Sequence, residues 1–224
     1  MLQIRSQCLA RWARGGTATL LLVTAVSIAP CTAAGILIDD FSVASTTAPP
    51  QALAQRQRGS RTARDSGSLG GVLGGTRQLT VNVTAPATDT SDSVTCWVNT
   101  KARRLQYASS VDADGSAELL YDAAGRGLNV NLSSAAAIRL SMNADASAIP
   151  YRVIVKLTDR SNHSASAAQT ISVPGKQQVD IRLTGLGSVS LARISSLSIT
   201  LDPAIAGDFD VSRIETVGTR KRGR

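Results

Sequence analysis

Few residues in this 224-residue chain combine the types and spacing that chemistry requires. Cys96 and His163 could form a thiol–imidazole pair, and His163 is the single histidine of the sequence. Cys96, however, alternates with Val94 and Val98. That places it on an apolar strand face, where a thiol is an inert small hydrophobe. His163 stands among Ser, Asn and Ala, in the kind of turn where an imidazole is solvated. A serine triad would need the same histidine, and no Gly-x-Ser-x-Gly turn is present to raise a nucleophile. Hydrolysis of a glycoside needs two carboxylates held about 5–9.5 Å apart. Asp39, Asp40, Glu118 and Glu215 are available, but nothing in their spacing pairs them. Asp112-Ala-Asp-Gly115 offers oxygen ligands of the kind calcium takes, yet Glu118 comes too early to close a calcium loop. An Asp-Gly turn between strands accounts for that segment.

Sugar recognition fits the remaining residues better. Sugars stack their apolar faces on aromatic rings while polar side chains bond their hydroxyls. Trp97 falls on the strand face opposite Val94, Cys96 and Val98. Arg139, Arg152, Lys156 and Arg182 likewise fall opposite the aliphatic sets of their own strands. If these faces converge, they make a basic groove with one aromatic. Such a groove suits an acidic polysaccharide held by bidentate Arg–carboxylate contacts. If the strands belong to two sheets, the same residues are scattered cations on opposite outer faces.

The elements that must position these side chains are strands. Leu79, Val81 and Val83 alternate with Gln78, Thr80 and Asn82, the period of a half-buried strand. The pattern recurs at Ile138/Leu140/Met142, Val153/Val155/Leu157, Val179/Ile181/Leu183 and Leu197/Ile199/Leu201. Shorter candidates are 103–109, 117–121, 128–132, 167–173 and 209–215. Turn chemistry separates them, as in Asp159-Arg-Ser-Asn162 and Pro174-Gly175. About a dozen short strands at this interval predict an all-β antiparallel β-sandwich of the jelly-roll kind. The 43% hydrophobic content supplies a core. Residues 44–68, rich in Ser, Thr, Pro, Gln and Arg, predict a disordered Arg-rich loop.

The ends carry a different signal. Arg5, Arg11 and Arg14 precede an apolar run of about a dozen residues, too short to span a bilayer, and small residues follow at 31–34. Residues 1–34 therefore read as a signal peptide cleaved near Ala34, which predicts an exported protein in the periplasm, at the cell surface or outside the cell. Membrane contact is expected only through that segment before cleavage. Pro30 ahead of Cys31 argues against lipidation. Cys8 and Cys31 leave with the signal, so Cys96 has no disulfide partner. Of 24 basic residues, three lie in 1–34 and four in the tail 220–224, which leaves 17 against all 16 acidic residues in the domain 35–219. A near-neutral body with no basic stripe predicts no nucleic-acid partner.

Ile38-Asp-Asp-Phe41, Gly74-Gly-Thr-Arg77, Leu119-Leu-Tyr-Asp122, a late Ser-Leu-Ser-Ile-Thr-Leu201 and Phe209-Asp before Ile214-Glu215 occur in an order that resembles secreted bacterial surface proteins of the PEP-CTERM-sorted type. The sorting tail itself is absent. More distantly, the chain is similar to jelly-roll, galactose-binding-like carbohydrate-binding modules. The resemblance implies a jelly-roll domain over most of 36–217. It also implies a structural calcium near the first and last strands, held by Asp39 or Asp40 with Glu215. The expectation is an exported, non-catalytic envelope or extracellular module binding an acidic polysaccharide. A purely structural or adhesive surface component is the main rival, and a carbohydrate-active enzyme the third reading.

Overall fold

The computed structural model describes residues 35–44, 53–55, 58–65, 67–85, 93–203 and 207–218. Thirteen strands are assigned: β1 (Leu37–Asp39), β2 (Leu53–Gln55), β3 (Gly59–Arg64), β4 (Gln78–Ala85), β5 (Val94–Asn99), β6 (Arg104–Ser109) and β7 (Asp114–Tyr121). They continue with β8 (Ala135–Ala144), β9 (Tyr151–Asp159), β10 (Ser164–Ile171), β11 (Gly175–Arg182), β12 (Ile194–Pro203) and β13 (Asp208–Gly218). Short 3-10 turns lie at Leu73–Gly75 and Leu191–Arg193. The strands form two antiparallel sheets. Sheet A runs β11-β8-β13-β6-β5-β2, with β1 also paired to β13, and sheet B runs β10-β9-β12-β7-β4-β3.

The last eight strands are wound as one long folded hairpin. β9 pairs with β10, β8 with β11, β7 with β12 and β6 with β13, alternating between the sheets. β9–β12 and β8–β13 complete the two four-strand orders. That double Greek key is the jelly roll, so the predicted fold class holds on strand order itself. β4 and β3 extend sheet B, and β5 and β2 extend sheet A.

The period-two pattern decides which residues meet between the sheets. Val94, Cys96, Val98, Ile138, Leu140, Val179 and Ile181 face in from sheet A. Leu79, Val81, Leu119, Val153, Val155, Leu157, Leu197 and Ile199 face in from sheet B, and all fifteen are at most 2% exposed. At one end, Phe209 stacks between Tyr107 (centroids 4.6 Å) and Tyr151 (6.0 Å). Burial of this much apolar surface is the main driving force for the fold.

Two local expectations change. Within 44–68, β2 and β3 are strands, paired with β5 and β4. The polar composition of 59–64 reflects an exposed edge rather than an absence of strand structure. Thr62 Oγ1 bonds Thr80 Oγ1 at 2.9 Å, Arg64 donates to Gln78 Oε1 from Nε and Nη2, and an edge strand with arginines resists further pairing. Residues 45–52, 56, 57 and 66 lie outside the described residues, as do the expected signal peptide 1–34 and basic tail 220–224. Residues 128–132 give one bridge, Val130 to Ile194, instead of a strand. Among the described residues, no helix is long and apolar enough to cross a membrane.

Candidate functional site

The outer face of sheet A carries one uninterrupted cross-strand row. Trp97 on β5 stands opposite Gln106 on β6, Gln106 opposite Asp210 on β13, Asp210 opposite Asn143 on β8, and Asn143 opposite Lys176 on β11. Trp97, Gln106, Asp210 and Asn143 point away from the core because their chain neighbours point in, as Cys96 and Val98 do beside Trp97, and Lys176 is exposed. Four steps between strands, each about 4.8 Å, give the row a length of about 19 Å. Arg104, Asp210, Asn143, Lys176, Gln178 and Ser212 line a groove of about 620 Å³ along it. A second hollow of about 160 Å³ continues the groove to Trp97 and shares Asn143 and Asp210.

Hydrogen bonds hold the polar heads in place. Arg104 Nη1 donates to Asp210 Oδ2 at 3.0 Å, and Asn99 Nδ2 donates to Gln106 Oε1 at 2.8 Å. Asn143 Nδ2 lies 3.5 Å from the same Asp210 oxygen. Beside Trp97, burial and the neighbouring Asp145 push the Asp208 carboxyl above its ordinary value. Burial would raise Asp145 as well, but hydrogen bonds from Ser147 and the Ala148 amide outweigh it and hold that carboxyl low. Amides, hydroxyls, Lys176 at one end, the Asp145 and Asp208 carboxyls at the other and a single half-buried indole can bond the hydroxyls of a sugar chain and stack one ring.

The five glycan residues expected from sequence are not brought together. Trp97, Arg139 and Arg182 lie on the outer face of sheet A, while Arg152 and Lys156 lie on the outer face of sheet B. Side-chain parity was read correctly, but parity does not say which sheet a strand joins. Arg139 is also engaged: its Nε and Nη2 donate to the two oxygens of Asp180 at 2.6 and 2.7 Å. That fork holds the Asp180 carboxyl below its ordinary value.

The expected calcium residues are each engaged with an arginine. Asp39 is fully buried and receives Arg77 Nη1 at 2.8 and 3.0 Å, Tyr121 Oη at 2.9 Å and the Phe41 amide at 2.9 Å. Burial pushes its carboxyl up against the pull of Arg77. Asp40 takes Arg103 Nη2 at 2.9 Å, and Glu215 takes Arg213 Nε at 2.8 Å. Among the described residues, no three or more His, Cys, Asp or Glu side chains gather where a metal ion could sit. Arg77 also meets Asp65 Oδ2 at 2.8 Å, the Val43 carbonyl at 3.0 Å and the Phe41 ring at 5.5 Å. The motif segments 38–41, 74–77 and 119–122 thus converge on one buried cluster. Gly74 and Gly75, at φ of 72° and 73°, take the left-handed turn that delivers Arg77.

Cys96 and His163 do not meet. Cys96 is buried on the inner face of sheet A, where desolvation drives its thiol pKa up. His163 is exposed in the turn after β9, with Nδ1 3.4 Å from Asp159. The residues that sequence reasoning missed are Gln106, Asn143, Lys176 and Asp210. Their outward parity was visible, but their alignment into one row requires the strand order.

No family model matches the chain, and no curated protein matches its sequence. The likeness to sorted surface proteins therefore rests on the short motifs alone. Several solved structures are similar at low identity. The family 11 carbohydrate-binding module of the cellulosomal cellulase Lic26A-Cel5E of Clostridium thermocellum aligns at 10% identity over 85% of this chain and 98% of its own, with a TM-score of 0.42. TmCBM61 in complex with β-1,4-galactotriose aligns at 12% over 71% and 88%, with a TM-score of 0.33. An exo-β-agarase aligns at 9% over 84% of this chain and 25% of the enzyme, with a TM-score of 0.42. Likeness at this level assigns neither a family nor a ligand.

Proposed function

We propose that this protein is an exported, non-catalytic module that holds a polysaccharide across the outer face of sheet A. The observation that carries this reading is the continuous row Trp97–Gln106–Asp210–Asn143–Lys176 along an open groove. It supplies hydroxyl-bonding groups at strand spacing and one stacking ring at its end. Export rests on the character of residues 1–34.

Of the cations expected to favour an acidic chain, only Arg182 stands on this face without an ion pair among the described residues. Arg104 and Arg139 are paired with Asp210 and Asp180, and Arg152 and Lys156 are on the other sheet. An uncharged glycan is the better match to a groove with Lys176 at one end and Asp208 and Asp145 at the other. A glycan array probed with the full chain tests the reading. Neutral oligosaccharides should bind, Trp97→Ala should weaken them, and Lys156→Ala on the opposite sheet should not. A chain that captures no glycan, with Trp97→Ala indistinguishable from it, would leave the structural role in its place.

A further inference from the structure

We infer that the cleft between the β7–β8 loop and the β9–β10 turn is a separate binding site for an anionic sugar, one carrying a carboxylate or a sulfate ester. The cleft encloses about 330 Å³ and is lined by Arg126, Asn129, Arg160, Asn162 and Ser196, with Asp122 and Asp159 at its walls. It lies at the loop edge of the sandwich, outside the sheet A groove, and does not rest on the reading of that groove.

Two guanidiniums are held here without a carboxylate of their own. Arg126 Nε donates to the Ala123 carbonyl at 3.0 Å, which fixes the side chain and leaves both terminal nitrogens to donate elsewhere. Arg160 reaches Asn129 Oδ1 at 3.4 Å across the cleft. Among the described residues, neither arginine makes an ion pair. The two acidic wall residues are directed to other partners. Asp122 Oδ2 lies 3.5 Å from Arg64 Nη2. Asp159 is 3% exposed and accepts the Ser161, His163 and Ser190 amides. The open donors are therefore the arginine forks, which match the planar or tetrahedral oxyanion geometry. Asn162 and Ser196 can meet sugar hydroxyls beside them.

The loop that presents Arg126 is held in an uncommon shape. Ala123, Ala124, Gly125, Gly127 and Asn129 all have positive φ, between 52° and 84°, and Asn162 faces them at 63°. Alanine carries a steric cost in that region, and such backbone persists where the surroundings enforce it. Here the Gly127 amide donates to the Asp122 carbonyl, while Leu128 and Val130 are stitched to Ser195 and Ile194. The donors are thus presented on a pre-shaped loop, so little ordering is required on binding.

Calorimetric titration of the full chain at low ionic strength tests the site, using trigalacturonate, a sulfated galactan trisaccharide, neutral galactotriose and inorganic sulfate. An anionic trisaccharide should bind, and whichever of the two binds tighter names the oxyanion. Arg126→Gln with Arg160→Gln should lower that affinity at least tenfold without changing the melting temperature or neutral glycan binding. Arg152→Gln with Lys156→Gln removes the same charge from sheet B and should leave the affinity unchanged. The inference fails if neither anionic trisaccharide binds, if the cleft variant binds as well as the parent, or if both double variants lose equally. It also fails if inorganic sulfate binds as tightly as the trisaccharides, because the cleft would then hold only a bare oxyanion.

Discussion

Arg77 with Asp39 and Arg104 with Asp210 are almost the same contact, 2.8 Å in the first pair and 3.0 Å in the second. Their surroundings are opposite. Both side chains of the first pair are 0% exposed, whereas those of the second are 39% and 17% exposed. Solvent access separates their roles. In the interior, Asp39, Asp65, Tyr121 and Arg77 are shielded from solvent, and they tie β1 and the segment before β4 to β7. On the groove floor, water competes for every bond, so the same chemistry stays exchangeable and can be offered to a ligand. A buried ion pair here belongs to the fold and an exposed one to the surface.

The sharpest way to break that comparison is to remove one arginine from each pair. Arg77→Met leaves Asp39 buried without its guanidinium. Losing one partner of a buried pair costs about 3–5 kcal/mol. For a domain of this size that is a fall of roughly 6–20 °C in Tm. Arg104→Met removes an exposed partner, and its effect on stability should stay within about 1 kcal/mol. Thermal unfolding by circular dichroism reads both. Similar shifts for the two variants would erase the distinction between interior and face.

The next effect is on binding. Trp97→Ala should weaken a neutral oligosaccharide about tenfold, the equivalent of about 1.4 kcal/mol, because it removes the one ring at the end of the row. Its Tm should remain near that of the parent, since Trp97 points out of the core. Arg104→Met should also weaken the ligand, but less, by releasing the Asp210 carboxylate it orients. A glycan titration that finds Arg104→Met as damaging as Trp97→Ala would shift the centre of the site toward β6 and β13.

The interior was the more legible of the two regions. Alternation alone placed Val155 in the core and Lys156 outside it, and both stand so. Burial enforces that period, so it survives ignorance of strand order. The buried Arg77 cluster was only half legible. Its segments stood out in the sequence, but the resemblance implied a metal ligand at Asp39, because a fully buried arginine at position 77 cannot be read from a strand edge. The groove was the least legible. Trp97 was identified by its outward parity, while Gln106, Asn143, Lys176 and Asp210 are ordinary polar positions until β6, β13, β8 and β11 are laid side by side. Arg152 and Lys156 failed for the same reason, since β9 joins sheet B. Exposed polarity at 59–64 concealed an edge strand, where backbone pairing needs no apolar residue.

The smallest expected effect concerns Arg139 and Asp180, a fork on the same outer face as Arg104 but with 27% and 42% exposure. The hydrogen bond from Arg139 holds the Asp180 carboxyl below its ordinary value. A carboxyl whose folded-state pKa is depressed favours the folded state when ionised, so its contribution is complete above the unfolded value of about 3.9. The contribution is lost as pH falls below that value and through the folded pKa. Asp180→Asn should therefore melt slightly below the parent at pH 6, and the difference should close on acidification to about pH 2. Because the pair is exposed, added salt should shrink the difference at pH 6 as well. A gap that persists unchanged at low pH would mean that Asp180 stabilises the sheet through packing instead of charge. The contrast between a buried, structural arginine and an exposed, exchangeable one would then not extend to this second pair on the face.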